Sequence, residues 1–73
     1  MRLLLAEDEQ ALSKALKAIL ERAGYTVDAV YDGKTALGNL ETGSYDGAVL
    51  DIMMPRMDGI EVLRQLRARG DLL

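Results

Sequence analysis

The chain has 73 residues, 12 acidic and nine basic side chains, a net charge of −3, no cysteine and no histidine. That excludes a disulfide framework, thiolate or imidazole metal ligation and histidine acid–base chemistry, and it leaves one small domain able to bury only about 60% of its unfolded surface. The acidic balance, without any run of basic residues, also argues against a nucleic-acid surface on these residues.

"MRLLL" could open a signal peptide, but Glu7, Asp8 and Glu9 cut the apolar run too early, so the expectation is a soluble, cytoplasmic chain without a membrane span. "RLLLA", residues 2–6, is a short continuous apolar run of the kind found in strands buried on both faces. Ala11, Leu12, Ala15, Leu16, Ile19, Leu20 and Ala23 then recur at helical spacing, which predicts an amphipathic helix with this stripe toward the core, ended by Gly24. "YTVDAV" alternates apolar and polar residues and predicts an edge strand over 25–30.

"DGKTALGNLETG" predicts a second helix capped by Asp32 and closed by Gly43, with Gly38 weakening its middle. "GAVLD", residues 47–51, shows no alternation and predicts a third strand covered on both faces. Asp58 and Glu61 have the spacing of a capping box, and Ile60, Val62, Leu63 and Leu66 form the predicted core stripe of a third helix ended by Gly70. The order is βαβαβα, with connections suited to parallel strands and right-handed crossovers.

Glu7 and Asp8 end the first strand, and Asp51 ends the third, opening the stretch "DIMMPRMDG". A carboxylate at the tip of a buried strand is costly unless a cation or hydrogen-bond donors meet it. Taken alone, Asp8 or Glu9 reads as a helix cap or a solvated acid, and Asp32 and Asp58 are read only as caps. Met53, Met54 and Met57 are assigned to loop packing, while Pro55 and Gly59 suit a loop that turns tightly into a helix.

"LLLAEDE" followed one α/β unit later by "AVLDIMMPRMDG" resembles the response-regulator receiver domain of bacterial two-component signalling, over nearly the whole chain. The resemblance implies the N-terminal half of a flavodoxin-like three-layer sandwich, with parallel strands in the order 2-1-3. In that order the ends of the first and third strands are neighbours, so Glu7, Asp8 and Asp51 would converge, and mutual repulsion would call for a hard cation such as magnesium. By position, Asp51 would accept a phosphoryl group from a phosphohistidine of a sensor histidine kinase. Glu7 and Asp8 would hold Mg2+ with Asp51, and Met53 would offer its backbone carbonyl. Such a chain is more a phosphoacceptor than an enzyme. "AEDE" and "DIMMP" lean toward regulators with a winged-helix DNA-binding output domain.

The full family pattern has five βα units, whereas residues 1–73 stop at "RGDLL" after three and have no counterpart of its later Thr or Ser and Lys. The expectation is therefore a truncated receiver with impaired phosphotransfer, and a homodimer formed by antiparallel pairing of the third strands, whose outer edge would be open. The alternative is a structural half-domain that folds and self-associates without phosphotransfer. An aspartate-based phosphatase would need an acid two residues after Asp51, where Met53 stands, and no alternating calcium-loop pattern occurs.

Overall fold

The three apolar runs form strands β1 (Arg2–Ala6), β2 (Thr26–Val30) and β3 (Gly47–Leu50), and the intervening segments fold as helices α1 (Gln10–Arg22), α2 (Gly33–Glu41) and α3 (Gly59–Ala68). This computed structural model describes residues 1–70. β1 pairs in parallel with both other strands, giving the order β2-β1-β3, with Leu4 opposite Asp28 on one side and Ala48 on the other. Parallel neighbours cannot be joined by a tight turn, so each connection crosses over through a helix. The architecture is the flavodoxin-like one expected.

Alternation along the strands divides the interior in two. Leu4, Ala6 and Val30 pack with Ala36, Leu37 and Leu40 of α2, Val62 and Leu66 of α3, and Met54, with Ala48 and Leu50 at the margin. Leu5 and Val27, also buried, point the other way, toward α1. Asp32 caps α2 by accepting from the Thr35 amide at 2.8 Å, and Asp58 caps α3 by accepting from the Glu61 amide at 2.8 Å. Gly24, Gly43 and Gly70 follow the helices with positive φ, as a left-handed C-terminal turn requires.

Several expectations fail in detail. The stripe assigned to the core on α1 is largely open, with Leu12 42% and Ile19 63% exposed, while Ser13 is the buried residue of that helix. α1 leans toward the β2 side of the sheet, so the part of its apolar face toward β3 has little beneath it. For the same reason β3 is not covered on both faces: Val49 is 43% exposed. Of the core stripe expected on α3 only Val62 and Leu66 are buried, and Ile60 and Leu63 face outward. The reciprocal half of the capping box is missing as well, because the Glu61 carboxylate turns to Arg64 at 3.0 Å and Gln65 at 3.2 Å.

Toward the amino ends of the strands, polar groups tie the layers together. Arg2 donates to Asp28 Oδ2 from Nε at 3.1 Å and Nη2 at 2.6 Å, and Tyr45 donates its hydroxyl to the same oxygen at 2.8 Å. The Arg2 guanidinium also lies 4.7 Å from the centre of the Tyr45 ring. The Tyr45 hydroxyl, then Arg2, hold the Asp28 carboxyl below the usual aspartate range, against a smaller opposing effect of burial. A depressed carboxyl contributes stability above its unfolded-state value and loses it as pH falls through the folded-state value. Tyr45→Phe should therefore lower stability by about 0.5–1 kcal/mol at neutral pH. In urea titrations at a series of pH values, its gap from the parent chain should close as pH drops below the ordinary aspartate range.

Candidate functional site

β1 and β3 run the same way, with Ala6 opposite Leu50, so the residues that follow them leave the sheet side by side. Both departures are pinned by backbone bonds: the Glu7 amide donates to the Val30 carbonyl at 3.1 Å, and the Asp51 amide to the Ala6 carbonyl at 2.9 Å. Carboxylate oxygens of Glu7, Asp8 and Asp51 consequently lie within 4.8 Å of one another. Glu7 is buried, Asp51 half-buried and Asp8 exposed, which makes a crevice open on one side. The acids expected to converge do so.

Their electrostatics are strained. The Glu9 amide, donating to Glu7 Oε2 at 3.0 Å, is the largest single influence on Glu7 and favours its charged form. Burial and the nearby Asp51 charge oppose it and together prevail, so Glu7 holds its proton above the ordinary glutamate range. Among the described residues, none of the ion pairs reaches Glu7, Asp8 or Asp51.

The loop from Asp51 to Asp58 shapes the rest of the crevice. The Met53 amide donates to Asp51 Oδ1 at 3.3 Å, restraining the carboxylate, and the Gly59 amide returns to the Ile52 carbonyl at 3.1 Å. Met54 plugs the core while Met57 packs against it. Met53 departs from the packing role assigned to it, the residue being 79% exposed. Its backbone nevertheless belongs to the site through the bond to Asp51. Arg56 adopts a left-handed conformation (φ 71°). Sequence reading passed over it, because this backbone signal normally comes with Gly or Asn rather than Arg.

A family model for the response regulator receiver domain matches residues 3–73. The chain belongs to this family. Receiver domains are phosphoacceptor modules that work with histidine kinases. Response regulator MprA of Mycobacterium avium is 45% identical over 71 residues, which cover 97% of this chain and 31% of that protein. Thermotoga maritima TrrA, solved in complex with Mg2+-BeF, superposes with a TM-score of 0.88 at 37% identity, over 93% of this chain and 59% of TrrA. The receiver domain of the Pseudomonas aeruginosa sensor histidine kinase PA1611, solved with magnesium coordinated in its active-site cleft, gives a TM-score of 0.87 at 34% identity, over 92% of this chain and 55% of that one. The chain thus spans about a third of the length of MprA and somewhat over half of each solved receiver.

Three carboxylates gathered without a cation work against folding, and relieving one should help. Glu7→Gln keeps an acceptor for the Glu9 amide yet removes a buried charge. It should raise the thermal midpoint in EDTA at neutral pH by a few degrees. Because Glu7 titrates above its unfolded-state value, the parent chain loses stability as pH rises through that interval, so the advantage of Glu7→Gln should grow over the same interval and then level off. Differential scanning fluorimetry across a pH series checks both points.

Proposed function

We propose that this receiver takes a phosphoryl group on Asp51 from a phosphohistidine of a sensor histidine kinase, with Mg2+ held by Glu7, Asp8 and Asp51. The observation that carries the reading is the convergence of three oxygen-donor carboxylates around one open crevice. The donor set fits the ion: magnesium prefers hard oxygen ligands, uses one or two carboxylates, keeps several waters and leaves room for phosphate oxygens. Burial and the Asp51 charge already weigh on Glu7, which is the strain a bound cation would relieve. The Met53 carbonyl is assigned as a further ligand, supported by the family resemblance and by the hold of the Met53 amide on Asp51. The magnesium sites named for TrrA and PA1611 support the same choice.

The chain itself supplies the nucleophile and its orientation. An Asp51 carboxylate oxygen forms a new bond to phosphorus as the phosphorus–nitrogen bond of the donor breaks. The electron pair of that bond stays on the imidazole, and the product is an acyl phosphate. The Met53 amide limits rotation of the Asp51 carboxylate, and the pinned Ala6–Asp51 backbone fixes its approach. Bound magnesium supplies positive charge against the phosphoryl oxygens. In this reading the chain is a cytoplasmic phosphoacceptor rather than an enzyme. Control of transcription lies downstream, supported by the resemblance of "AEDE" and "DIMMP" to winged-helix regulators.

Incubation with acetyl phosphate and Mg2+, followed by intact-mass measurement, tests the reading. A gain of one phosphoryl group is expected, absent in EDTA and in Asp51→Asn. For residues 1–73 by themselves the modification should be slow and substoichiometric, since the family's later Thr or Ser and Lys have no counterpart among them. A modified Asp51→Asn chain would place the chemistry elsewhere.

Chains of these residues are further proposed to pair as a homodimer through β3. Among the described residues β3 has a strand partner on one side only, and Val49 on one face and Ile60 and Leu63 on the other are exposed. A twofold axis perpendicular to the sheet would pair the two edges antiparallel and bring each apolar flank against its own copy. Sedimentation at micromolar concentration should show a dimer, and Ala48→Pro, which removes a donor from the open edge while the Val49 amide, in phase with that of Asp51, stays on β1, should dissociate it. A folded monomer in the parent chain would rule the pairing out.

A further inference from the structure

We infer that Gly33, on a helix that contributes none of the three carboxylates, positions the Asp51 loop, an inference that rests on the metal-site reading above. Gly33 is the first residue of α2 and is buried. A Cβ added there would collide with the Met57 carbonyl oxygen and lie 2.5 Å from its carbon and 2.9 Å from the Met57 Cβ. The obstacle is largely backbone, so no rotamer change can relieve it.

The loop is gripped a second time at its end. A Cβ on Gly59 would collide with the Asp51 carbonyl oxygen and sit 3.0 Å from its carbon and 3.3 Å from the Leu50 Cβ. Between the two contacts stands the left-handed Arg56, whose Nη1 lies 3.8 Å from Asp32 Oδ2. Asp32 is the cap of α2, so both the residue that starts the helix and the one that follows it meet the loop. Beyond Met57 the chain is anchored by the Asp58 cap and by the Gly59 contact. A displacement of Met57 can therefore be absorbed only backward, through Arg56 and Pro55 toward Met53, whose amide holds Asp51. Gly33 acts on the crevice through this path and touches no carboxylate, which makes it a positioning residue.

Gly38 provides the control. It lies on the same helix, and none of the described residues stands within 4 Å of a Cβ added there. The experiment is a MgCl2 titration of the 15N-labelled chain, following the backbone amides of Asp8, Asp51 and Met53. Gly38→Ala should raise the thermal midpoint and leave the affinity unchanged. Gly33→Ala should weaken Mg2+ binding roughly tenfold, the lower end of what disturbing the outer support of a metal site costs. It should also move the Met53 amide before any metal is added. Should Gly33→Ala be too unstable in buffer, the titration is run in trimethylamine N-oxide, which favours the compact state by exclusion from the surface, with the same criterion. A folded Gly33→Ala chain that binds like the parent overturns the positioning role and leaves the metal site standing. Parent amides that do not respond to Mg2+ overturn both.

Discussion

Parallel pairing of β1 with β3 is the constraint on which the site depends. Two antiparallel strands would put the residues after them at opposite ends of the sheet, whereas parallel strands release Glu7 and Asp51 at the same edge. The pairing that builds the core between α2, α3 and the sheet therefore also forces like charges together. Nothing local to either strand reveals this cost. It arises only when "LLLAEDE" and "GAVLD", more than forty residues apart, lie in register.

The two ends of the sheet show how differently a small fold can treat charge. Toward the amino ends, Asp28 receives donors from Arg2 and Tyr45, and its carboxyl is held below its usual range. At the carboxyl ends, Glu7 has one backbone donor and the Asp51 charge beside it, and it moves the other way. The contrast separates acids that serve the fold from acids placed at its expense.

Element order, the helix caps at Asp32 and Asp58 and the C-terminal glycines were legible in the sequence, because each rests on local chemistry or on a motif of fixed spacing, whereas the convergence of the three acids followed from the strand order. Strand order was legible only through the family resemblance. The failures share one cause. Leu12, Ile19, Val49, Ile60 and Leu63 have the periodicity of core residues, and periodicity reports which residues share a face without saying whether anything covers it. The buried Ser13 is the converse case: its hydroxyl finds no hydrogen-bond partner among the described residues, and its residue type gave no reason to place it inside. Gly33 received no reading of its own from the sequence, since close approach between two backbones distant in sequence leaves no mark on either segment alone.

The loop that carries Asp51 unites these observations. A short loop between a strand and a helix can be made rigid by packing side chains into it, but side chains on its outer side would close the crevice in which the carboxylates of Glu7, Asp8 and Asp51 meet. This chain packs the loop from behind instead. Met54 enters the core, two glycines let backbone press on backbone, and Met53 is left outward with only its amide engaged. Rigidity is thus supplied by main-chain contact on the inner side, while the outer side stays open. The left-handed Arg56 follows from the same geometry: the loop must turn sharply to bring Met57 against Gly33, and the strain of that turn is local to a residue five positions beyond Asp51, away from the carboxylates.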